Sequence, residues 1–504
     1  MRAEVLQSAE QWTRQLLGST GQTVPPDRRS LSASAAAISP VDGVWFVTGH
    51  QPALFHPGVW IKNFAVSALA RSLAGATGLN LIVDNDLSTT PAVAIPEGSS
   101  AEPRWGSVPY DDPQAAGPWE ETRVVHRDRF TSFGDRVETS LSHWGWKPLV
   151  KEFWPRVLRA ESELHNPGWA FAAARAKTEW DWGFGNLELP LSALCQLAGF
   201  RRFAIRLLNQ LPRFQSVYNS ALTEYRQVYR LRSRTHPVPD LRHEDEWLEA
   251  PFWIWHAGDR QRMRLMVRLH GGQIELSDGR TILGAFSQGP AGLAAGVETL
   301  QTLESQGIKL RTRALTTTLF SRLYFADLFL HGVGGAKYDE ITDQIIAQFC
   351  GLAPPAYATL SATVRLPLPS FSESLEDLRR LKQQLRSAEQ HPRDFLDKAP
   401  DADAKLLLDQ FERLIAEQQA FRRGQSPSRE LASDAATRYR QLQQLRQQLL
   451  PLTHKTREGL VADLRSAEHH IGANAVLMNR EFAFCLFPSE QLRSFVEDAC
   501  RAIG

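Results

Sequence analysis

The spacing of apolar residues predicts a strand–helix–strand unit near the start of the chain. Short apolar runs at 44–47 and 79–83 have the length of buried strands, and the stretch 59–74 between them is amphipathic with helical spacing. A strand, a helix and a second strand in this order form a parallel pair joined by a right-handed crossover. The pattern therefore predicts an α/β fold built on a parallel sheet.

The middle of the chain changes pattern twice. Residues 97–150 have no clear period and are expected to form loops and short helices, whereas 151–233 have mainly helical spacing. Apolar runs within 251–283 are separated by glycine-containing turns, which is typical of an antiparallel meander. The middle is therefore expected to combine helices with antiparallel strands.

A second set of alternating elements follows the meander. Helices are expected at 293–308 and 336–350, a strand followed by a turn at 309–318, and a strand at 357–366. These elements are expected to form the second part of the core.

The segment 371–470 has a different character. Apolar residues recur there at heptad-like intervals, separated by Gln, Arg, Glu and Asp. The clearest part of this seam consists of Leu407, Phe411, Leu414 and Phe421. Turn-forming residues at 423–427 interrupt it, so an antiparallel coiled-coil hairpin of two long helices is expected, with a further break near Pro400. The apolar residues at 474–487 are expected to pack back on the core.

Composition narrows the class of protein. The 504 residues carry 57 basic and 56 acidic side chains, and this balance argues against a nucleic acid or an anionic membrane as the main partner. The four cysteines form no CxxC pair, so reduced thiols in the cytoplasm are expected rather than disulfides or a zinc finger. No apolar run reaches the about 18 residues of a membrane span, and the N-terminus lacks the apolar core of a signal peptide.

The loop 48–58, between the first predicted strand and helix, is the strongest candidate for a binding site. Gly49 and Gly58 would let a ligand approach the backbone, and the N–H groups of the following helix suit a phosphate or carboxylate. The polar side chains of the loop are Thr48, His50, Gln51 and His56, and Lys62 lies in the first turns of the following helix. The alternatives are a metal site on the two histidines, for which no third ligand follows at short spacing, and an ordinary turn with surface histidines.

Asp84, Asn85 and Asp86 directly follow the second predicted strand. Because parallel strands end at one edge of a sheet, these residues and the loop 48–58 are expected to line one cavity. In that cavity His50 and the two carboxylates are the predicted catalytic groups. The carboxylates would hold an amine or a ribose, or position Mg²⁺, and the alternative is a solvated acidic turn.

A second glycine-rich segment lies at 331–339. Gly334 and Gly335 precede Lys337 and Tyr338, and the P-loop spacing is not met because Tyr338 follows the lysine. A turn with positive φ is expected here, whose backbone N–H groups bind an anion beside the Lys337 charge. The alternative is a tight connecting turn.

Together these segments resemble the bacillithiol biosynthesis cysteine-adding enzymes, a cysteine-ligase family. VTGHQPALF at 47–55 is similar to the family's VTGQQ-G-L-F loop, and HGVGGAKY at 331–338 is similar to its late Gly-Gly segment. A long helical pair follows VRLPLP at 364–369, as in the family. The order of these parts matches over most of the chain.

The resemblance implies a Rossmann-like core, an inserted α+β region and a coiled-coil hairpin that makes a homodimer. On this reading 1–96 and 291–370 form the core, 97–290 the insertion, 371–470 the hairpin and 471–504 a segment on the core. It also implies a ligase that joins an amino acid, cysteine in the family, to a small amine such as an amino-sugar conjugate. A nucleotide such as ATP or ADP and Mg²⁺ are the candidate cofactors.

Only part of the family's site carries over. The matching positions are Thr48, Gly49, Gln51, Gly58, Gly334 and Gly335. The family's first glutamine is His50 here, and its E-D-H-D stretch is reduced to 84–86 without a histidine. The alternatives are a ligase for a different amine or acid, and a non-catalytic nucleotide- or small-molecule-binding module that recruits a partner through its coiled coil.

Overall fold

The computed structural model describes residues 1–21, 39, 41–233, 235–422 and 435–502, without the side chains of 421, 422, 435 and 436. The predicted turn at 423–427 and the side chain of Phe421 therefore lie outside the described residues.

The chain forms two compact units. Unit 1 comprises Met1–Ile95, Gly106–Pro367 and Arg480–Gly504, and unit 2 comprises Pro96–Trp105 and Leu368–Asn479. The finer division into five segments remains a prediction.

The secondary structure is mixed. The α-helices, in chain order, are α1 (Arg2–Ser19), α2 (Pro57–Ser72), α3 (Arg127–Thr131), α4 (Phe133–Leu141), α5 (Val150–Leu164), α6 (Pro167–Asp181), α7 (Leu191–Leu194), α8 (Ala198–Asn209), α9 (Leu211–Val228), α10 (Leu293–Ser305), α11 (Ala314–Tyr324), α12 (Val333–Ile345), α13 (Leu375–Gln390), α14 (Ala402–Arg422), α15 (Ala435–Leu449), α16 (His454–Leu477) and α17 (Ser489–Arg501). The strands are β1 (Trp45–His50), β2 (Thr77–Ile82), β3 (Ala92–Gly98), β4 (Pro103–Pro109), β5 (Leu187–Pro190), β6 (His243–Glu244), β7 (Trp247–His256), β8 (Met263–His270), β9 (Gln273–Ser277), β10 (Ile282–Ser287), β11 (Ile308–Thr312), β12 (Leu328–His331) and β13 (Tyr357–Thr359).

A five-stranded sheet lies at the centre of unit 1. Its order is β13-β12-β1-β2-β5, and every neighbouring pair is parallel. In register, Thr48 lies opposite Leu330 of β12 and Asn80 of β2. The predicted βαβ unit and the α/β class are therefore confirmed.

The helices that follow β1 and β12 cover opposite faces of this sheet. Phe46 and Leu330 pack against Val66 of α2. The intervening side chains, such as Val47 and Phe329, belong to another apolar cluster that includes Ile341 of α12. Side chains alternate between the faces of a sheet, so α2 and α12 lie on different sides.

The chain connections therefore diverge between β1 and β12. From β1 the chain crosses through α2 to β2, and from β12 it crosses through α12 to β13 in the opposite direction. Such a switch point leaves a crevice outside the carboxyl ends of the two central strands, where open α/β sheets bind their ligands.

A second sheet in unit 1 is antiparallel. Its order is β10-β9-β8-β7-β11, and β6 pairs with β7. This confirms the meander predicted over 251–283, although the first strand begins earlier, at Trp247. Apolar residues of both sheets, including Val47 and Ile254, belong to one core cluster.

Several predicted elements differ from the structure. The strand β5 lies inside the stretch predicted to be helical, and β4, which pairs with β3, lies inside the stretch predicted to form loops and short helices. The residues after β11 form α11 rather than a turn, and β13 has three residues where a strand over 357–366 was expected. Short strands lack enough residues for a period to emerge, and tertiary pairing decides them.

Unit 2 is mainly helical. α13 packs against α16, and α14 packs against α15. Leu408, Phe411, Leu442 and Leu449 form the apolar cluster between α14 and α15. The chain breaks between α13 and α14, around the predicted position near Pro400. Of the predicted seam, Phe411 is buried in this cluster and Leu407 and Leu414 are partly buried against it, while the coiled-coil geometry stays a prediction.

The segment predicted at 471–504 divides between the units, because 471–479 belong to unit 2 and Arg480–Gly504 belong to unit 1. Phe484 lies 4.5 Å from Trp60 of α2 between ring centroids, and α17 packs against α2. Among the described residues, no helix is long and apolar enough to cross a membrane.

Candidate functional site

The carbonyl oxygen of Gly49 points towards the gap between β1 and β12. Carbonyl groups along a strand alternate between its two neighbours. The His50 oxygen accepts a hydrogen bond from Val83 on the β2 side. The Trp45 oxygen accepts one from Asp327, which directly precedes β12. Gly49 belongs to the Trp45 series, so its oxygen lies on the β12 side, at the switch point.

Lys62 of α2 meets this oxygen. Its ammonium group donates to the Gly49 carbonyl over 3.2 Å, and the residue is only 6% exposed. No described carboxylate pairs with it, whereas the similarly buried Lys177 pairs with Asp181. Burial lowers the pKa of Lys62 from 10.5 to about 8. Lys62 is therefore a buried cation at the crevice without a counter-ion.

His50 is held inside the fold on the α2 side of the sheet. Its Nε2 lies 3.1 Å from Oδ1 of Asn63, whose amide nitrogen donates to Glu179. Burial, followed by the charges of Arg175 and Lys62, lowers the pKa of His50 well below its usual value. His50 Nδ1 also lies 3.1 Å from the Gln51 carbonyl oxygen, so the ring links α2 to the end of β1.

An ionic network continues from His50 under the sheet. Arg175 of α6 donates to both Glu179 and Glu188, and all three side chains are buried. Asn80 donates to Glu188, and Trp60 donates to Glu179. Burial raises the pKa of Glu188 to about 7. This network joins α2, α6 and two strands, and it has the character of a structural support.

The cavity beside His50 is too small for a substrate. It has a volume of about 10 Å³, which is room for a single water molecule, and its lining includes Ile82, Phe171 and Arg175. Asp84 is not among the lining residues. This cavity therefore does not join His50 to Asp84, although both residues approach α6.

The N-terminus of α2 is occupied by groups of the chain itself. Nδ1 of His56 accepts a hydrogen bond from the Gly58 N–H over 3.1 Å, and burial lowers the pKa of His56. A Cβ atom on Gly58 would lie 2.5 Å from the carbonyl oxygen of Ala362. The anion site predicted at this helix end is therefore filled by a histidine cap and by a closely packed neighbouring segment.

Thr48 and Gly49 have structural roles in the parallel sheet. The Thr48 hydroxyl donates to the Leu330 carbonyl over 2.9 Å and links β1 to β12. A Cβ atom on Gly49 would lie 3.1 Å from the side chain of Leu81, so the glycine permits close contact with β2.

Gln51 and Asp86 meet at the edge of the sheet. The Gln51 amide donates to the Asp86 carboxylate over 2.5 Å. Arg262, from the loop between β7 and β8, donates to the other Asp86 oxygen over 3.2 Å and lies 4.7 Å from the Trp253 ring centroid. The structure thus brings these two predicted residues together and adds an arginine that the sequence analysis missed.

Asp84 and Asn85 have structural partners. Asp84 is fully buried and accepts hydrogen bonds from the Ser192 backbone, the Ser192 hydroxyl and the Trp169 indole. Burial, and then the charge of Glu120, raises the pKa of Asp84 to about 6. Asn85 donates to the Thr312 carbonyl at the end of β11. These contacts fasten the end of β2 and leave Asp86 as the acidic group nearest to Gln51.

The segment at 331–339 is helical rather than a turn. α12 begins at Val333, and neither Gly334 nor Gly335 has a positive φ, so the predicted left-handed turn is wrong. Buried Ile341 and Ile345 anchor this helix, and their packing outweighs the poor helix propensity of the glycines. The expected anion site would therefore have to be a helix N-terminus.

The two remaining predicted residues of this segment differ in burial. Lys337 is exposed and forms no hydrogen bond or ion pair with the described residues. The Tyr338 ring is half-buried and lies 5.9 Å from the His236 ring centroid.

Sequence analysis missed a buried group at the end of β12. His331 Nε2 lies 2.9 Å from the Asp339 carboxylate, and Arg322 donates to the same oxygen over 2.7 Å. The signal was present, because His331 ends a strand of the parallel sheet, as the predicted site residues of β1 and β2 do. Its acidic partner is eight residues further on, and only the fold of α12 reveals it.

The described residues contain no cluster of three or more His, Cys, Asp or Glu side chains suited to a metal ion. Asp86, the acidic group that could face a divalent cation, is already engaged by Gln51 and Arg262. The chain matches no protein-family model, and a search of curated proteins finds no match. The fold and the crevice therefore carry the functional argument.

Proposed function

We propose that the chain is an enzyme with a Rossmann-like core that binds an anionic substrate group beside Lys62, in the crevice between β1 and β12. We further propose C–N ligation, the joining of an amino acid to a small amine. The reason is that the resemblance to the cysteine-adding ligases lies in segments 47–55 and 331–338, which include the carboxyl ends of these two strands and the residues that follow them. A cytoplasmic homodimer is part of the same proposal.

The observation that carries the proposal is the unpaired buried charge of Lys62. A buried ammonium group without a carboxylate is unfavourable, and proteins normally pair such groups. The buried arginines of the ionic network and of the His331 cluster obey this rule, since Arg175 and Arg322 each pair with a carboxylate. An exception at a switch-point crevice is best explained by a ligand that supplies the missing negative charge.

The chemistry of ligation suits this arrangement. A carboxyl group becomes reactive towards an amine when it is activated, which a bound nucleotide would supply. Attack by the amine then places negative charge on the carboxyl oxygen, and a fixed cation in a low-dielectric crevice stabilises such charge. Lys62 would act in this way, while Gln51, Asp86 and Arg262 would shape the amine-facing side of the crevice.

A ligation assay tests this proposal. Purified protein is incubated with ATP, Mg²⁺, amino acids including cysteine, and amino-sugar conjugates, and amide products are identified by mass spectrometry. An amide product with release of a nucleotide product is expected. Loss of one fixed charge at the reacting oxygen should lower the rate of Lys62→Met by about a hundredfold or more.

The matched control is Lys405→Met, which removes an exposed lysine of α14. Its rate should equal that of the unmodified protein. A folded protein that forms no amide with any substrate pair would refute the ligase, and an amide formed equally fast by Lys62→Met would refute the role of Lys62.

A further inference from the structure

The N-terminus of α12 is open, in contrast to that of α2. Its N-cap residue is Gly332, which has no side chain to cap the helix. The first bond of the helix runs from the Ala336 N–H to the Gly332 oxygen. The N–H groups of Val333, Gly334 and Gly335 therefore have no partner within the helix, and they carry the positive end of its dipole.

A buried histidine is aimed at the same helical turn. His331 is only 7% exposed, and its Nε2 is held by Asp339. No described group hydrogen-bonds to the other ring nitrogen, Nδ1. A Cβ atom on Gly335 would lie 3.0 Å from Nδ1, closer than to any other atom of the ring. The free nitrogen thus faces the first turn of α12.

Two glycines of this turn border open space, and a lysine lies one turn further along the helix. Cβ atoms on Gly332 and Gly334 would meet no atom within 4 Å. Lys337, one turn along the helix, is exposed and has no partner among the described residues. The Asp339 charge is balanced by Arg322, so it opposes an approaching anion only weakly.

The geometry points to a phosphoryl-binding site formed by the first turn of α12, His331 Nδ1 and Lys337. A tetrahedral phosphoryl group has enough oxygen atoms to accept from several N–H groups of the turn while its O–H group donates to Nδ1, whose lone pair is free because Nε2 donates to the Asp339 carboxylate. Helix N-termini that have no capping side chain commonly bind phosphate for this reason. This inference deepens the proposed function, on which it rests for the role of the phosphate, by assigning the phosphate-bearing substrate to the β12 side of the crevice.

Binding of inorganic phosphate to the full-length protein tests the site. Isothermal titration gives the affinity, and NMR of ¹⁵N-labelled histidine rings follows His331, whose signal is assigned with His331→Asn. Phosphate should shift the His331 signal. Loss of one hydrogen bond should weaken phosphate binding by His331→Asn about tenfold.

A second variant separates binding from folding. Gly334→Val adds a side chain in empty space on a helix without positive φ, so the melting temperature should stay the same or rise. The added side chain should still block phosphate and weaken binding about tenfold or more. The control His143→Asn, an exposed histidine elsewhere in unit 1, should bind phosphate as the unmodified protein does.

Two results would overturn the site. One is equal phosphate affinity in His331→Asn, Gly334→Val and the control, and the other is acetate binding as tightly as phosphate. These outcomes are independent of the ligation assay, because they are measured on the protein without an amine or amino acid. A protein that binds phosphate here but forms no amide would keep this site and lose the ligase.

Discussion

Replacement of Lys62 by methionine should stabilise the protein while it abolishes function. Burial lowers the pKa of Lys62 from 10.5 to about 8, which corresponds to about 3 kcal/mol of unfavourable free energy when the lysine is charged. Methionine fills a similar volume without charge, but it leaves the Gly49 carbonyl without its donor, which costs about 1 kcal/mol. The expected net gain at pH 7 is about 2 kcal/mol.

The gain should depend on pH in a defined way. A base whose pKa is lowered in the folded state destabilises that state, and the full cost is present at pH values below the folded-state pKa. This cost fades as the pH rises from about 8 to 10.5. The unmodified protein should therefore gain stability relative to Lys62→Met across this window. Urea unfolding followed by tryptophan fluorescence at pH 7 and pH 10 measures the difference.

Lys177→Met is the matched control, because Lys177 is also largely buried but pairs with Asp181. Its replacement should lower the free energy of unfolding at both pH values. A Lys62→Met variant that is less stable than the unmodified protein at pH 7 would refute this explanation. So would a difference in free energy of unfolding between the two proteins that does not change with pH.

Other predictions concern the end of β2 and the helices of unit 2. The pKa of buried Asp84 is raised from 3.8 to about 6. The free energy of unfolding of the unmodified protein should therefore fall by up to about 3 kcal/mol, relative to that of Asp84→Asn, between pH 4 and pH 7. A difference in urea unfolding that stays constant over this range would refute this prediction. Phe411→Ala should destabilise the pairing of α14 with α15 by about 3–5 kcal/mol, seen as earlier loss of helical circular dichroism. Among the described residues, Phe411 of that seam packs within one chain. A double Leu414→Asp and Phe421→Asp variant should therefore disturb unit 2, and its mass by light scattering should equal that of the unmodified protein. A halved mass would instead make the seam a dimer contact.

The parallel sheet was predictable because its first unit has clear periods. Apolar runs at 44–47 and 79–83 flank a helical stretch, and the structure has β1, α2 and β2 there. The four residues of β5 are too few to show a period, and their pairing with β2 is a long-range event. The start of α12 was missed for a different reason, since glycines usually indicate turns and only the packing of the following isoleucines makes them helical.

The location of the candidate site at the carboxyl edge of the sheet was predictable from the sequence, but the roles of its individual side chains were not. Topology alone indicates that residues after β1 and β2 come together, and Gln51 does contact Asp86. Which of two neighbouring aspartates is buried depends on partners more than 80 residues away, such as Trp169 and Ser192. The missing counter-ion of Lys62 is likewise invisible in the sequence, because an ion pair is a property of the folded chain.

The charge of Lys62 offers the most direct test of the account. NMR of ¹³C-labelled lysine side chains, assigned with Lys62→Met, follows the titration of this one amine with and without the nucleotide, amino acid and amine. We expect the Lys62 amine to have a pKa of about 8 in the free protein, and this pKa should rise towards 10.5 when an anionic ligand enters the crevice. A Lys62 amine that titrates near 10.5 in the free protein, or that responds to none of these ligands, would contradict the central claim.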